Sequence, residues 1–224
     1  MTAPTRMPWT TRTLTGLLVA GAALTLAPAP AHAAGATTIV LTREAGGEAL
    51  LTDYPADGRP VRGRSYHDTI ISTALSAVRS DGTTSRGAFA SFATTAYSFD
   101  AAGRYVEGAQ TSGYADGAAV QLTVDRSLHS ARLRATVPAT RCDQAICSDL
   151  EPVLLTVDWT GTGVTTRTAG RQHLHDGRTT VTSWTAGETR SAQATVSPFG
   201  STAAASLWRG TSHQRTAPSM VRSD

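Results

Sequence analysis

Lysine is missing from this chain: all twenty basic residues are arginine. That excludes chemistry built on an amine side chain, including Schiff-base catalysis, Ser-x-x-Lys nucleophiles and the P-loop. The arginine-only usage accompanies abundant Ala, Thr and Gly, and reads as compositional bias rather than as selection for guanidinium chemistry. Two catalytic signatures are also missing, G-x-S-x-G and H-E-x-x-H, so neither a nucleophile elbow nor a zinc-protease helix is encoded. Long apolar runs are few, and none in the body of the chain reaches the length of about 18 residues that a membrane-spanning helix needs.

The longest such run belongs to the N-terminus. Arg6 and Arg12 precede an apolar stretch over residues 14–26, and Ala31-His32-Ala33 follows as an A-x-A cleavage site. This is the pattern of a secretory signal peptide over residues 1–33. Pro28 and Pro30 interrupt the run before it could serve as an anchor, and the absence of a cysteine after the site argues against a lipoprotein. Cleavage would leave 191 residues, the 224 of the whole less 33. Two of the twenty arginines leave with the leader, so eighteen against seventeen acids is a balance of +1. The basic pI of about 9.2 therefore implies no nucleic-acid partner.

The two cysteines lie in the most informative stretch, residues 131–163. Ala131, Leu133, Ala135 and Val137 alternate with Arg132, Arg134 and Thr136, as a half-buried strand requires, and Pro138 is expected to end it. After Pro152, Val153, Leu155, Val157 and Trp159 share a face opposite Leu154, Thr156 and Asp158. Trp159 is thereby a core residue. In an exported protein Cys142 and Cys147 are expected to form one local disulfide, whose small ring is worth roughly 2 kcal/mol. Facing cysteines would set Leu133 opposite Thr156, a slip of one residue. Either a β-bulge absorbs the slip or the strands belong to different sheets. A similar mismatch is read between residues 120–124 and 131–137, and the pair favours two sheets.

The run Asp125-Arg-Ser-Leu-His-Ser-Ala-Arg-Leu-Arg-Ala-Thr-Val137, the short cysteine loop and Val157-Asp-Trp-Thr-Gly-Thr-Gly163 together resemble uncharacterised secreted β-rich proteins of actinobacteria. The resemblance covers about a quarter of the chain, and implies secretion and a β fold with no activity attached.

Elsewhere the pattern is of short strands between turns. Residues 37–42 form a first strand, and 44–65 read as a loop rich in Gly, Pro and Asp. Residues 69–78 fit both a helical face and an alternating strand, and the Ser and Thr density favours strand. A hairpin spans residues 89–109, a second turn falls at Asp116-Gly117, and residues 169–184 form a hairpin about Asp176-Gly177. Residues 193–197 and 203–209 close the fold. The expected architecture is an all-β antiparallel two-sheet β-sandwich over residues 34–209 with one local disulfide, and a disordered tail over 210–224.

Candidate chemistry is sparse. His173 and His175 project to one strand face as a metal pair would, but Arg178, expected opposite His175, disfavours a divalent ion and leaves a solvated face. Asp143, Asp149 and Glu151 around the cysteine loop could offer oxygens to calcium or be ordinary loop acids. Asp125 and His129, with any of many serines, could supply a triad, although His129 is more simply a residue lining its connection. Asp158 is the one acid inside a clear strand, so the paired carboxylates of a glycosidase cannot be picked out. Trp184 is the best exposed platform for a sugar ring, with Trp208 and Tyr105 undetermined.

The expected function is that of a secreted, extracellular, non-catalytic binding or structural module. No cofactor and no metal is expected, nor nucleic acid, nor membrane insertion once the leader is removed. A cell-wall glycan or another secreted protein is the expected partner, and Trp184, His173 and His175 mark the possible ligand surface. A carbohydrate- or cell-wall-binding module would show coplanar exposed aromatics. An extracellular hydrolase would show a cleft where acids or a Ser-His pair converge.

Overall fold

Among the described residues of the computed structural model, ten strands, all antiparallel, are joined in a single hydrogen-bonded sheet. The described residues are 37–61, 63–143, 146–201 and 204–219. The expected leader at residues 1–33 and the last five residues of the expected tail lie outside them. In chain order the strands are β1 Thr38–Thr52, β2 Ser65–Ser80, β3 Thr83–Phe99, β4 Tyr105–Asp116, β5 Val120–Val124, β6 Ser130–Asp143, β7 Ile146–His175, β8 Thr179–Ser197, β9 Gly200–Ser201 and β10 Ala204–Pro218.

The expected all-β antiparallel class and the disulfide are both present, with Cys142 and Cys147 paired across β6–β7 and their Cα atoms 4.0 Å apart. The expected division into two sheets is not confirmed. β1 pairs with β2, β2 with β3, β3 with β4, β4 with β6, β6 with β7 and β7 with β8. β10 then pairs with both β8 and β1, so eight strands close into a ring. β5, joined to β4 by one 3₁₀ turn at Gly117–Ala119, shares the edge of β6 with it. Closure of this kind removes sheet edges, the liability of any open sheet.

Local register explains why one sheet suffices. The slip between the cysteine pair and the strand above it is taken up between Val137 and Ala139, so β6 bulges at Pro138 and continues to Asp143 instead of ending. Proline fits there because a bulge needs no ladder N–H from it. Leu133 consequently faces Val157, and Ala135 faces Leu155. The expected second mismatch does not arise: Val120, Leu122 and Val124 pair with Ala135, Leu133 and Ala131, apolar face to apolar face.

The expected strand over residues 69–78 is present, with Ile71 and Thr73 buried. Two other expectations change. β1 continues ten residues past Thr42, through Gly46 and Gly47, which read as loop residues in the sequence. Those glycines are a packing requirement. A Cβ on Gly47 would stand 3.0 Å from the Trp159 ring inside the barrel, and one on Gly46 would collide with the Thr73 carbonyl oxygen and crowd Trp208 outside. Finally, residues 210–218 of the expected disordered tail are the second half of β10 and complete the ring. Their polarity suggested disorder because the strand has no buried face at that level: none of residues 210–218 is buried.

The core fills one half of the interior. Leu51, Ile71, Phe92, Leu133, Val137, Leu155, Val157, Val196 and Leu207 surround Trp159, which is 2% exposed and donates from Nε1 to the Glu48 carbonyl at 3.1 Å. Each large aliphatic side chain so buried contributes about 1.5–3 kcal/mol. Outside the wall, Tyr54, Tyr66, Tyr97, Phe99 and Tyr105 form a separate cluster at the base of residues 53–64. Burial and the neighbouring Asp68 push the Tyr97 hydroxyl up to about 12.

Candidate functional site

Six strands continue beyond the level at which β4, β5 and β6 stop. β6 begins at Ser130 opposite Thr160, so among the described residues β7 from residue 165 onward pairs with β8 alone. β4 likewise ends opposite Phe89, leaving residues 83–88 of β3 paired with β2 alone. The wall here is a curved sheet in the order β7-β8-β10-β1-β2-β3, open on one side.

Strand parity assigns its inner face. In β1, Gly47, Ala49 and Leu51 point to the core, and Ile39, Leu41, Arg43 and Ala45 lie an even number of residues away in a strand with no register shift. Side chains two apart share a face, and directly opposed residues share it too. The pairings therefore lay out inner rows. One is Arg171, Trp184, His213, Leu41 and Arg79. The next toward the core is Ala169, Ala186, Thr211, Arg43, Ala77 and Arg86. Below it come Arg167, Glu188, Arg209, Ala45, Leu75 and Ala88. Toward the rim lie His173, Thr182, Arg215 and Ile39.

Charge is thus concentrated inside. Glu188 accepts from Arg167 Nε at 3.0 Å and pairs with Arg209, and these guanidiniums, Arg209 first, hold its carboxyl below the usual range. Arg43, Arg79, Arg86, Arg171 and Arg215 are exposed, and among the described residues none has a carboxylate within ion-pair distance. The outer positions of the same β10 and β8 segments are Ser212, Gln214, Val181, Ser183 and Thr185, without charge. An open hollow of about 540 Å³ sits on the inner face, lined by Ile39, Leu41, Arg79, Asp81 and His213 among others. At the boundary with the core, Arg190 donates through Nη1 to the Ser127 carbonyl at 3.4 Å, while its Nε is buried with no hydrogen-bond partner among the described residues.

Trp184 is 36% exposed, yet it is not the free platform expected from the sequence. The Arg171 guanidinium stands 5.5 Å from its ring centre, and His213 stacks at 5.2 Å and 24°. Both faces of the indole are occupied. The stack stiffens Arg171 through a cation–π contact and leaves only an edge for a ligand. Trp159 is core as expected, Trp208 lies on the outer face over Gly46, and Tyr105 belongs to the outer aromatic cluster.

His173 and His175 do share the inner face, but each is held by a threonine: His173 Nδ1 by Thr182 at 3.0 Å, and His175 Nδ1 by Thr180 at 3.1 Å. The hairpin loop is Gly177-Arg178, so Thr180 and not Arg178 stands opposite His175. The shift has a local cause, since Asp176 accepts from the backbone N–H of Arg178 and Thr179, which places it before the turn. Among the described residues no three His, Cys, Asp or Glu side chains gather as a metal would need. Asp149 accepts from Thr140 Oγ1 at 3.1 Å, and Asp158 is paired with Arg132 on the outer wall.

Asp125, Ser127 and His129 do come together, within one exposed turn. Asp125 Oδ2 accepts from the backbone N–H of Ser127 and of His129 and from the Ser127 hydroxyl, which also contacts His129 Nδ1. A triad needs one imidazole nitrogen toward serine and the other toward the carboxylate. Here Nδ1 faces both, so the arrangement caps a turn whose Leu128 plugs the core at φ 56°.

The sequence reading missed the arginines, because their alternation along each strand is visible while the alignment of six distant strands is not. No family model matches the chain, and no curated protein matches it. Among solved structures, it is similar to an acetoacetate decarboxylase-like enzyme from Sphingomonas wittichii RW1, at 9% identity and a TM-score of 0.26, over 85% of this chain and 94% of that chain. A likeness at that level bears on neither fold nor activity.

Proposed function

We propose that the chain is a secreted, non-catalytic binding module of the extracellular space, with its ligand contacts on the inner face at the open end of the barrel. One observation carries this reading: the exposed arginines, which among the described residues have no ion-pair partner, and the Arg171–Trp184–His213 stack share a single concave face. Side chains that gather charge where the fold leaves access are arranged for contact rather than for stability. Export is read from residues 1–33, and a short disulfide suits an oxidising compartment. A cell-wall glycan or another secreted protein is the kind of partner proposed.

Retention of the purified chain on insoluble cell-wall and polysaccharide preparations tests the reading. The native chain is expected to be retained and Trp184→Ala to be retained less, since the indole holds Arg171 in place. No retention by the native chain would overturn a glycan-binding role. Equal retention of the variant would move the contact surface away from the open end.

A further inference from the structure

We propose that the open-end face binds a linear acidic polysaccharide, its carboxylate or sulfate groups held by Arg43, Arg79, Arg86, Arg171 and Arg215; this rests on the binding reading above and names its ligand class. The five guanidiniums lie in three adjacent rows. Strand spacing and side-chain alternation put neighbouring positions in such a grid about 5 Å apart across strands and about 7 Å apart along them. Arg43, Arg79 and Arg86 lie within two strands of one another, Arg215 within two strands of Arg43 and Arg79, and Arg171 two strands from Arg215. The cations thus form an extended path that matches the charge spacing of a polymer bearing one acid per sugar better than that of a single small anion.

Charge complementarity gives the sign of the occupant. The chain without residues 1–33 is close to neutral, yet its inner open-end face holds these five arginines; Glu188, the acid in its rows, is already committed to Arg167 and Arg209, and Asp81, which lines the hollow with Arg79, is within ion-pair distance of none of the five. An uncompensated cation cluster is a standing cost in self-repulsion, and an anionic ligand relieves it. Arginine forks also bind planar oxyanions in pairs of hydrogen bonds.

Two other anionic occupants fit less well. A lipid needs room for its chain, and below the arginine rows the interior is closed by Leu207 and by Trp159 packed on Gly47. Single-stranded nucleic acid needs aromatic faces for its bases, and both faces of Trp184 are covered by Arg171 and His213. An acidic glycan requires neither a tunnel nor a free ring. The apolar strip of Leu41, Ala77 and Leu75 between the arginines offers contact for the C–H faces of sugar rings.

Calorimetric titration of the purified chain with heparin, polygalacturonate, neutral dextran and an oligothymidylate tests this. The expected result is binding of heparin, polygalacturonate or both, weakening with added salt, with dextran silent and oligothymidylate weaker. Heparin carries carboxylates beside its sulfates, so heparin set against its desulfated form identifies whether sulfate or carboxylate is the preferred group. Each of Arg43→Gln, Arg79→Gln and Arg171→Gln should lower affinity about tenfold, as loss of a charge-assisted hydrogen bond does. Arg132→Gln with Arg134→Gln removes two charges from the outer face of β6 and should change affinity less than twofold. Failure of both acidic glycans to bind, tighter binding of oligothymidylate, or an equal loss in the outer-face variant would each overturn the inference. Cell-wall retention that survives all three inner-face substitutions would leave the binding reading standing and remove this one.

Discussion

The two halves of the barrel interior are built by the same strands under opposite rules. In β1, β8 and β10 the inward positions of the closed half are Ala49, Leu51, Ala194, Val196 and Leu207, and those of the open half are Ile39, Leu41, Arg43, Trp184, Arg209 and Arg215. Parity does not change between them. What changes is the number of strands around the ring: where β4, β5 and β6 complete the wall, inward means dry, and where they stop, inward means wet. Charged side chains can therefore occupy an inner face without desolvation, which inside the closed half would cost several kcal/mol each.

The contrast predicts where the chain breaks. Trp159→Ala, in the closed half, should cost about 3–5 kcal/mol by loss of burial and the cavity left behind, measured by urea denaturation. Trp184→Ala, an aromatic of the same size on the same inner face, should cost under about 1 kcal/mol, the scale of an exposed cation–π contact. Similar losses for the two would erase the distinction between the halves. Between them falls the Cys142→Ser/Cys147→Ser pair, expected to cost about 2 kcal/mol from its short loop, read as a lower denaturation midpoint.

The smallest effect is electrostatic. Glu188 has its carboxyl held below the ordinary range by Arg209 and Arg167. A group depressed in the folded state contributes stability above its unfolded pKa and loses it as pH falls through the folded one. Native chain and Glu188→Gln should thus differ slightly near neutrality and converge as the pH falls through and below the ordinary carboxylate range. At the other extreme, Tyr97 is pushed up to about 12. Unfolding releases its proton more easily, so stability should fall as pH rises from about 10 to about 12, and absorbance titration should show one late phenolate. A Tyr97 that ionised near 10 would mean the outer cluster is looser than its packing indicates.

Much of the closed half was legible because burial imposes alternation. Residues 131–137 and 153–159 show the period of two, and their facing registers are those of the structure once Pro138 is allowed to bulge. The open half was misread for the reason that makes it a candidate site: its inner face is polar, so residues 210–218 carry no apolar period and look like a tail. Gly46 and Gly47 misled in the other direction, since glycine in a sequence signals a turn and here it admits two tryptophans on opposite faces.

Composition and local pattern by themselves determined the β class, the cysteine pairing, the Trp159 core and the absence of amine chemistry, because each depends on neighbours a few residues away or on residue type alone. Closure of the ring, the charge of its open end and the double capping of Trp184 were decided by tertiary structure. Each depends on register between strands as far apart as β1 and β10, which hydrogen bonding and core packing set together and which no local stretch contains.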